Sequence, residues 1–115
     1  MWSLGTILIE LFCGVPIFSG EDECEQISMI MEYKGNPPLK LLLLGNRTRS
    51  FFDNDFKLIK PTNSKGITRI VGSKALESFV KTDDKKFLDF IKKCLEWDPE
   101  KRIKPIEALN HEWLK

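Results

Sequence analysis

The apolar spacing along this chain changes character from one stretch to the next. From Trp2 to Phe12, WSLGTILIELF, apolar side chains fall on every side of a helical wheel and the one charge is Glu10. A helix apolar all round belongs in the middle of a larger body. It is predicted to stop at Cys13 and Gly14, where glycine suits a left-handed C-terminal position and Pro16 forbids continuation. Ser19 is then placed to cap a second helix with an acidic start, Glu21, Asp22 and Glu23. Ile27, Ile30, Met31 and Lys34 recur at helical spacing, which predicts a helix packed on one side and ended by Gly35, Asn36, Pro37 and Pro38.

After a short apolar turn around Leu41 to Leu44, helical periodicity lapses. Residues 53–74 are rich in Asn, Asp, Ser, Gly and Lys and read as a long surface insertion, with a short extended piece at Ile67 to Val71. The period returns with Asp83 or Asp84 as cap and Phe87, Leu88, Ile91, Cys94 and Leu95 as one stripe. In CLEWDPEKR, Asp98 can cap and Pro99 sits where a first turn needs no backbone donor. A last helix opens at Pro105 and carries Ala108, Leu109 and Trp113. No alternating run is long enough to argue for a sheet, so the fold class is all-α.

Composition narrows the picture. With 115 residues and 42% apolar content there is room for one domain, spanning 1–115, with a modest core. The net charge of +1 hides a segregation: Glu21 to Lys34 sums to −4 and Gly35 to Lys74 to +6. That pattern suits either an acidic partner or a solvated loop. Cys13, Cys24 and Cys94 form no CxxC pair and read as small hydrophobes in a reducing compartment, so the expected location is intracellular, cytoplasmic or nuclear. With His111 as the single histidine, no metal site is expected. The first stretch lacks a basic lead-in for a signal peptide, and Leu41 to Leu44 is far too short to span a bilayer. Neither a nucleic acid nor a membrane is an expected partner.

Two separated signatures carry a family resemblance. WSLGTILIELFCGVPIFSG resembles the F helix of eukaryotic protein kinases and its continuation, and CLEWDPEKRIKPIEALNHEWLK looks like the H to I region that ends the kinase fold. MIMEYKGNPP, RSFFDND, NSKGITRI, GSKAL and KKFLDFIKKCLEWDP are similar to the dual-specificity tyrosine-phosphorylation-regulated kinases (DYRK family, CMGC group). The resemblance implies a partial large lobe, helices F to I with the CMGC insertion at about residues 45–82 and no N-terminal lobe. It also implies ATP-dependent phosphoryl transfer to protein hydroxyls, with ATP and magnesium as cofactors of the complete domain.

The chemistry of that transfer needs a glycine-rich phosphate cover, a phosphate-binding lysine, a catalytic aspartate and two magnesium ligands. The sequence has no GxGxxG, HRD or DFG; Asp55 and Phe56 are followed by Lys57. The expectation is therefore no catalytic, cofactor or metal residue in this chain and no catalysis by it alone. The resemblance gives Arg102 a structural part, pairing with the glutamate of an APE motif supplied by upstream kinase segments. Trp2, Trp97, Asp98 and Pro99 are further residues expected to be structural. Lys104 stands where the family usually has a hydroxyl residue to cap the last helix. The alternative is a non-catalytic interaction module, with a protein substrate or regulator docked on the helix from Glu21 to Lys34 and the basic insertion.

Overall fold

A computed structural model describes all residues from Met1 to Lys115. The chain divides into two compact units, one made of Met1–Ile17 and Ala75–Lys115, the other of Phe18–Lys74. Helices are the regular elements of both. Pairing of extended backbone is confined to isolated antiparallel bridges, Phe52 with Leu58 and Thr62 with Thr68.

The first unit is built on helix α1, Trp2–Cys13, which ends as expected with Gly14 at φ 83°. In the same unit lie α5 (Leu76–Phe79), α6 (Lys85–Cys94), α7 (Pro105–Leu109) and a closing 3₁₀ turn, Glu112–Leu114. We number the helices of the other unit α2 to α4. Asp84, not Asp83, caps α6, its carboxylate accepting from the Lys86 and Phe87 amides. Lys92 and Lys93 occupy the last turn, where the helix dipole favours a cation.

The apolar stripe of α6 forms the centre of this unit. Phe90 and Cys94 join Ile103 and Ala108 in one cluster, with Met1, Leu8 and Trp113 against it. Ile9, Val80, Ile91 and Leu95 are fully buried. Helix α1 comes so close to α6 that a Cβ on Gly5 would lie 2.7 Å from Cys94 Cβ. On α7, Lys104 offers no side-chain acceptor, but Glu107 reaches back to its amide at 3.2 Å, one half of a capping box.

The second unit holds α2 (Glu23–Lys34), α3 (Leu39–Leu44) and α4 (Thr48–Phe51). The cap of α2 is Asp22, whose carboxylate accepts from Glu25 N at 2.8 Å, and not Ser19. Ser19 loses that role because the backbone from Gly20 to Glu21 turns inward first: Gly20 N donates to Gln26 Oε1 and Glu21 N to Glu25 Oε1. Gly35, at φ 76°, closes the helix. Its buried residues are Glu25, Ser28, Met31 and Glu32, while Ile27 and Ile30 are only half-buried. The interior side of α2 is thus largely ionic. The extended piece anticipated at Ile67 to Val71 is limited to the bridge at Thr68.

Candidate functional site

Arg102 lies in the tight turn that leaves α6. Buried Asp98 shapes that turn: its carboxylate accepts from Glu100 N at 2.9 Å and its carbonyl from Lys101 N and Arg102 N, each at 3.0 Å. The turn brings the Arg102 guanidinium back on itself. Nε donates to the Glu96 carbonyl at 3.0 Å, Nη2 donates to the Trp97 carbonyl at 3.2 Å, and the cation rests over the Trp2 ring at 5.4 Å. Trp2 and Trp97 are themselves tilted against each other, with centroids 6.1 Å apart. Four of the residues singled out in the sequence, Trp2, Trp97, Asp98 and Arg102, therefore meet in one place. Pro99 is exposed on the outside of the turn.

What touches the guanidinium here is neutral: two carbonyl oxygens and an indole face. These fix its plane. A carboxylate arriving there would find a cation already oriented, which is the arrangement a bidentate pair requires.

Elsewhere the chemistry-bearing pairs dissolve into turn structure. Asp55 and Phe56 sit in a loop closed by Asp53, whose carboxylate accepts from the Asp55 and Lys57 amides, with Phe56 at φ 58°. No three His, Cys, Asp or Glu side chains converge as a metal-ligand set. No helix is long and apolar enough to cross a membrane. All three cysteines are free thiols. Cys94 is the buried one, and burial raises its pKa.

Sequence reasoning missed a second constellation, in the other unit. Glu25 and Glu32 lie two turns apart on α2, which puts both on one side of the helix. Arg69 reaches each, Nη1 to Glu25 at 2.8 Å and Nε to Glu32 at 3.5 Å, and Lys74 adds a contact to Glu32 at 3.4 Å. Asn63 also donates to Glu25. The Glu21 carboxylate accepts from the amide and hydroxyl of Ser64. Backbone bonds from Gly72 N to Met31 O and from Lys74 N to Glu32 O complete the clasp. At the exposed end Asp22 pairs with Lys60 and Glu23 with Arg47. The Glu25 carboxyl is held below its ordinary pKa, first by the Glu21 amide and then by Asn63 and Arg69. The seven-residue spacing of Glu25 and Glu32 was the available signal.

Comparison with known proteins gives this geometry its family. The protein kinase domain matches residues 1–114. The chain is 48% identical over 115 residues to dual specificity tyrosine-phosphorylation-regulated kinase 2 of Drosophila melanogaster, covering 100% of this chain and 16% of that protein. It is 44% identical over 114 residues to dual specificity tyrosine-phosphorylation-regulated kinase 4 of Homo sapiens, covering 99% and 22%. To the DYRK-family kinase pom1 of Schizosaccharomyces pombe it is 41% identical over 114 residues, covering 99% and 10%. The chain spans at most about a fifth of the length of these relatives. A kinase-type match along almost the whole chain, joined to helical units and to relatives of one kind, means that the chain belongs to the protein kinase family, in its dual-specificity tyrosine-phosphorylation-regulated branch.

Proposed function

We propose that this chain serves as the structural part of an ATP-dependent kinase that phosphorylates Ser, Thr and Tyr hydroxyls, and that it does not catalyse by itself. The observation that carries this is the exposed apolar side of α1: Leu4, Ile7, Leu11 and Phe12 are 40%, 51%, 77% and 51% exposed. A helix so apolar is a seat for further protein. The occupant is the rest of a kinase domain, which brings the nucleotide site, its magnesium and the glutamate that Arg102 is oriented to receive. Kinase chemistry is positioning and electrostatic stabilisation of the transferred phosphoryl group, so a rigid support of this kind acts through the residues it holds.

The competing reading is a non-catalytic module that docks a protein partner on α2 and the basic insertion. It has less support, because the acids of α2 and the bases of residues 47–74 satisfy one another. The three free thiols suit a reducing intracellular compartment.

The test is a radiolabelled phosphoryl-transfer assay with Mg-ATP, run on the chain alone and with kinase segments carrying HRD, DFG and APE motifs. We expect no transfer from the chain alone. In the mixture we expect activity that falls at least tenfold with Arg102→Ala. Saturable nucleotide binding or transfer by the chain alone would sink the proposal, as would an active mixture indifferent to Arg102.

A further inference from the structure

The single histidine of the chain sits at a junction that no kinase chemistry uses. His111 precedes the closing 3₁₀ turn, and its side chain is only 8% exposed. Nδ1 accepts the Trp113 amide at 3.0 Å, and Nε2 lies 2.6 Å from Asp89 Oδ2 on α6. The imidazole stands edge-on to Phe90 at 5.1 Å. Trp113, held by that amide bond, covers Phe87 and Phe90 with ring centroids 4.9 and 5.0 Å away. One ring therefore ties the end of the chain to the core helix.

The bonds assign the tautomer. A backbone amide only donates, so Nδ1 must carry its lone pair, and the proton is on Nε2, donated to Asp89. Adding a proton at Nδ1 sets a donor against a donor and ends the hold on Trp113. We infer that His111 is a proton-operated latch: neutral, it fastens Trp113 over Phe87 and Phe90, and protonated it releases the closing turn.

The surrounding charges set how readily the latch opens. From α6, Asp89 favours the imidazolium, while Lys93 opposes it and also engages the same carboxylate oxygen at 3.0 Å. Lys101 from the preceding turn, Glu107 on α7 and Glu112 on the 3₁₀ turn line the same open cleft as the ring. Glu107 is engaged by the Lys104 amide. The Asp89 carboxyl is held below its ordinary pKa, first by His111 and then by Lys93, so it stays an anion at neutral and mildly acidic pH.

With only one histidine, nitrogen-15 spectra of the uniformly labelled chain report this ring without ambiguity. A titration from about pH 8 to about pH 5 brackets an ordinary imidazole. We expect the Nε2–H tautomer at the upper end, and Trp113 amide and indole resonances that move with the midpoint of His111 itself. Asp89→Asn should lower that midpoint, since it removes the charge that favours the cation. His111→Asn places an amide oxygen where Nδ1 was, so Trp113 should stay fastened and become indifferent to pH. The Nδ1–H tautomer at high pH, or Trp113 resonances that stay still while His111 titrates, overturns the inference. So does a midpoint unmoved or raised by Asp89→Asn. The wild-type titration decides the matter even where a variant does not fold.

Discussion

Gly5 shows how two local effects compete at one position. Within a helix, glycine is worse than alanine by about 1 kcal/mol, so Gly5→Ala on an open face would stabilise α1. Here the new methyl would lie 2.7 Å from Cys94 Cβ and 3.4 Å from Leu95 Cδ2. Both neighbours are fully buried, and a Cβ cannot swing aside as the end of a long side chain can. Overpacking of this kind costs typically ~1 to 3 kcal/mol, which outweighs the propensity gain. Gly5→Ala should therefore lower the urea midpoint of the chain, and a raised midpoint would show that α1 can move off α6 at no cost. The sequence displayed Gly5 only as a gap in an apolar helix. Periodicity reports the phase of a residue on its own helix, not the partner across the contact, so the pairing with Cys94 was not legible.

At the scale of elements, α1 was legible as an apolar run closed by Gly14, and α6 as a periodic stripe opened by an acidic cap at Asp83 or Asp84. Helices α4 and α5 were not, since four residues complete barely one turn. The side that α2 buries was read from Ile27, Ile30, Met31 and Lys34; Met31 is buried there, but Glu25 and Glu32 share that side because Arg69 and Lys74 come from about forty residues away to meet them. Charge segregation in the sequence recorded the ingredients of this clasp. It could not say that acid and base belonged to each other.

The clasp predicts a particular ordering and a particular pH dependence. Arg69 is 16% exposed and shared by two buried carboxylates, whereas the Arg47 pair with Glu23 is 64% and 66% exposed and screened by water. Arg69→Gln should speed amide exchange across residues 57–74 well beyond what Arg47→Gln does. The folded-state pKa values of Asp22, Glu23 and Glu25 are all depressed. Their contribution is thus present above the unperturbed carboxylate values of about 4 and is lost as pH falls through the lower folded values. Exchange of these amides, corrected for intrinsic rates, should rise as pH drops below about 4. Exchange in residues 57–74 that stays unchanged through that range would mean that the ion pairs do not hold the insertion.

For the molecule as a whole, the decisive feature is the line of Leu4, Ile7 and Leu11 on α1, at i, i+3 and i+7, each substantially exposed. Ile9 and Gly5, on the same helix, are buried. Substitution should therefore separate folding from association cleanly. Ile9→Ala removes buried methyl groups and should cost ~2 to 5 kcal/mol, a large part of the ~5 to 15 kcal/mol that holds a domain folded. Ile7→Lys and Leu11→Lys alter side chains that are 51% and 77% exposed, so they should leave the thermal transition within a few degrees of its original position. What they should change is contact with other molecules. The unsubstituted chain is expected to bind a dye that reports apolar surface and to sediment faster as its concentration rises, because an uncovered stripe of this width is sticky in water. The double lysine variant should lose most of that dye signal and sediment as a monomer. It should also fail to associate with kinase segments added in trans, since the proposed seat for them is the same stripe. A wild-type chain that is monomeric and dark to the dye would show that this side of α1 is not sticky, and a lysine variant that still assembles with those segments would place their seat elsewhere.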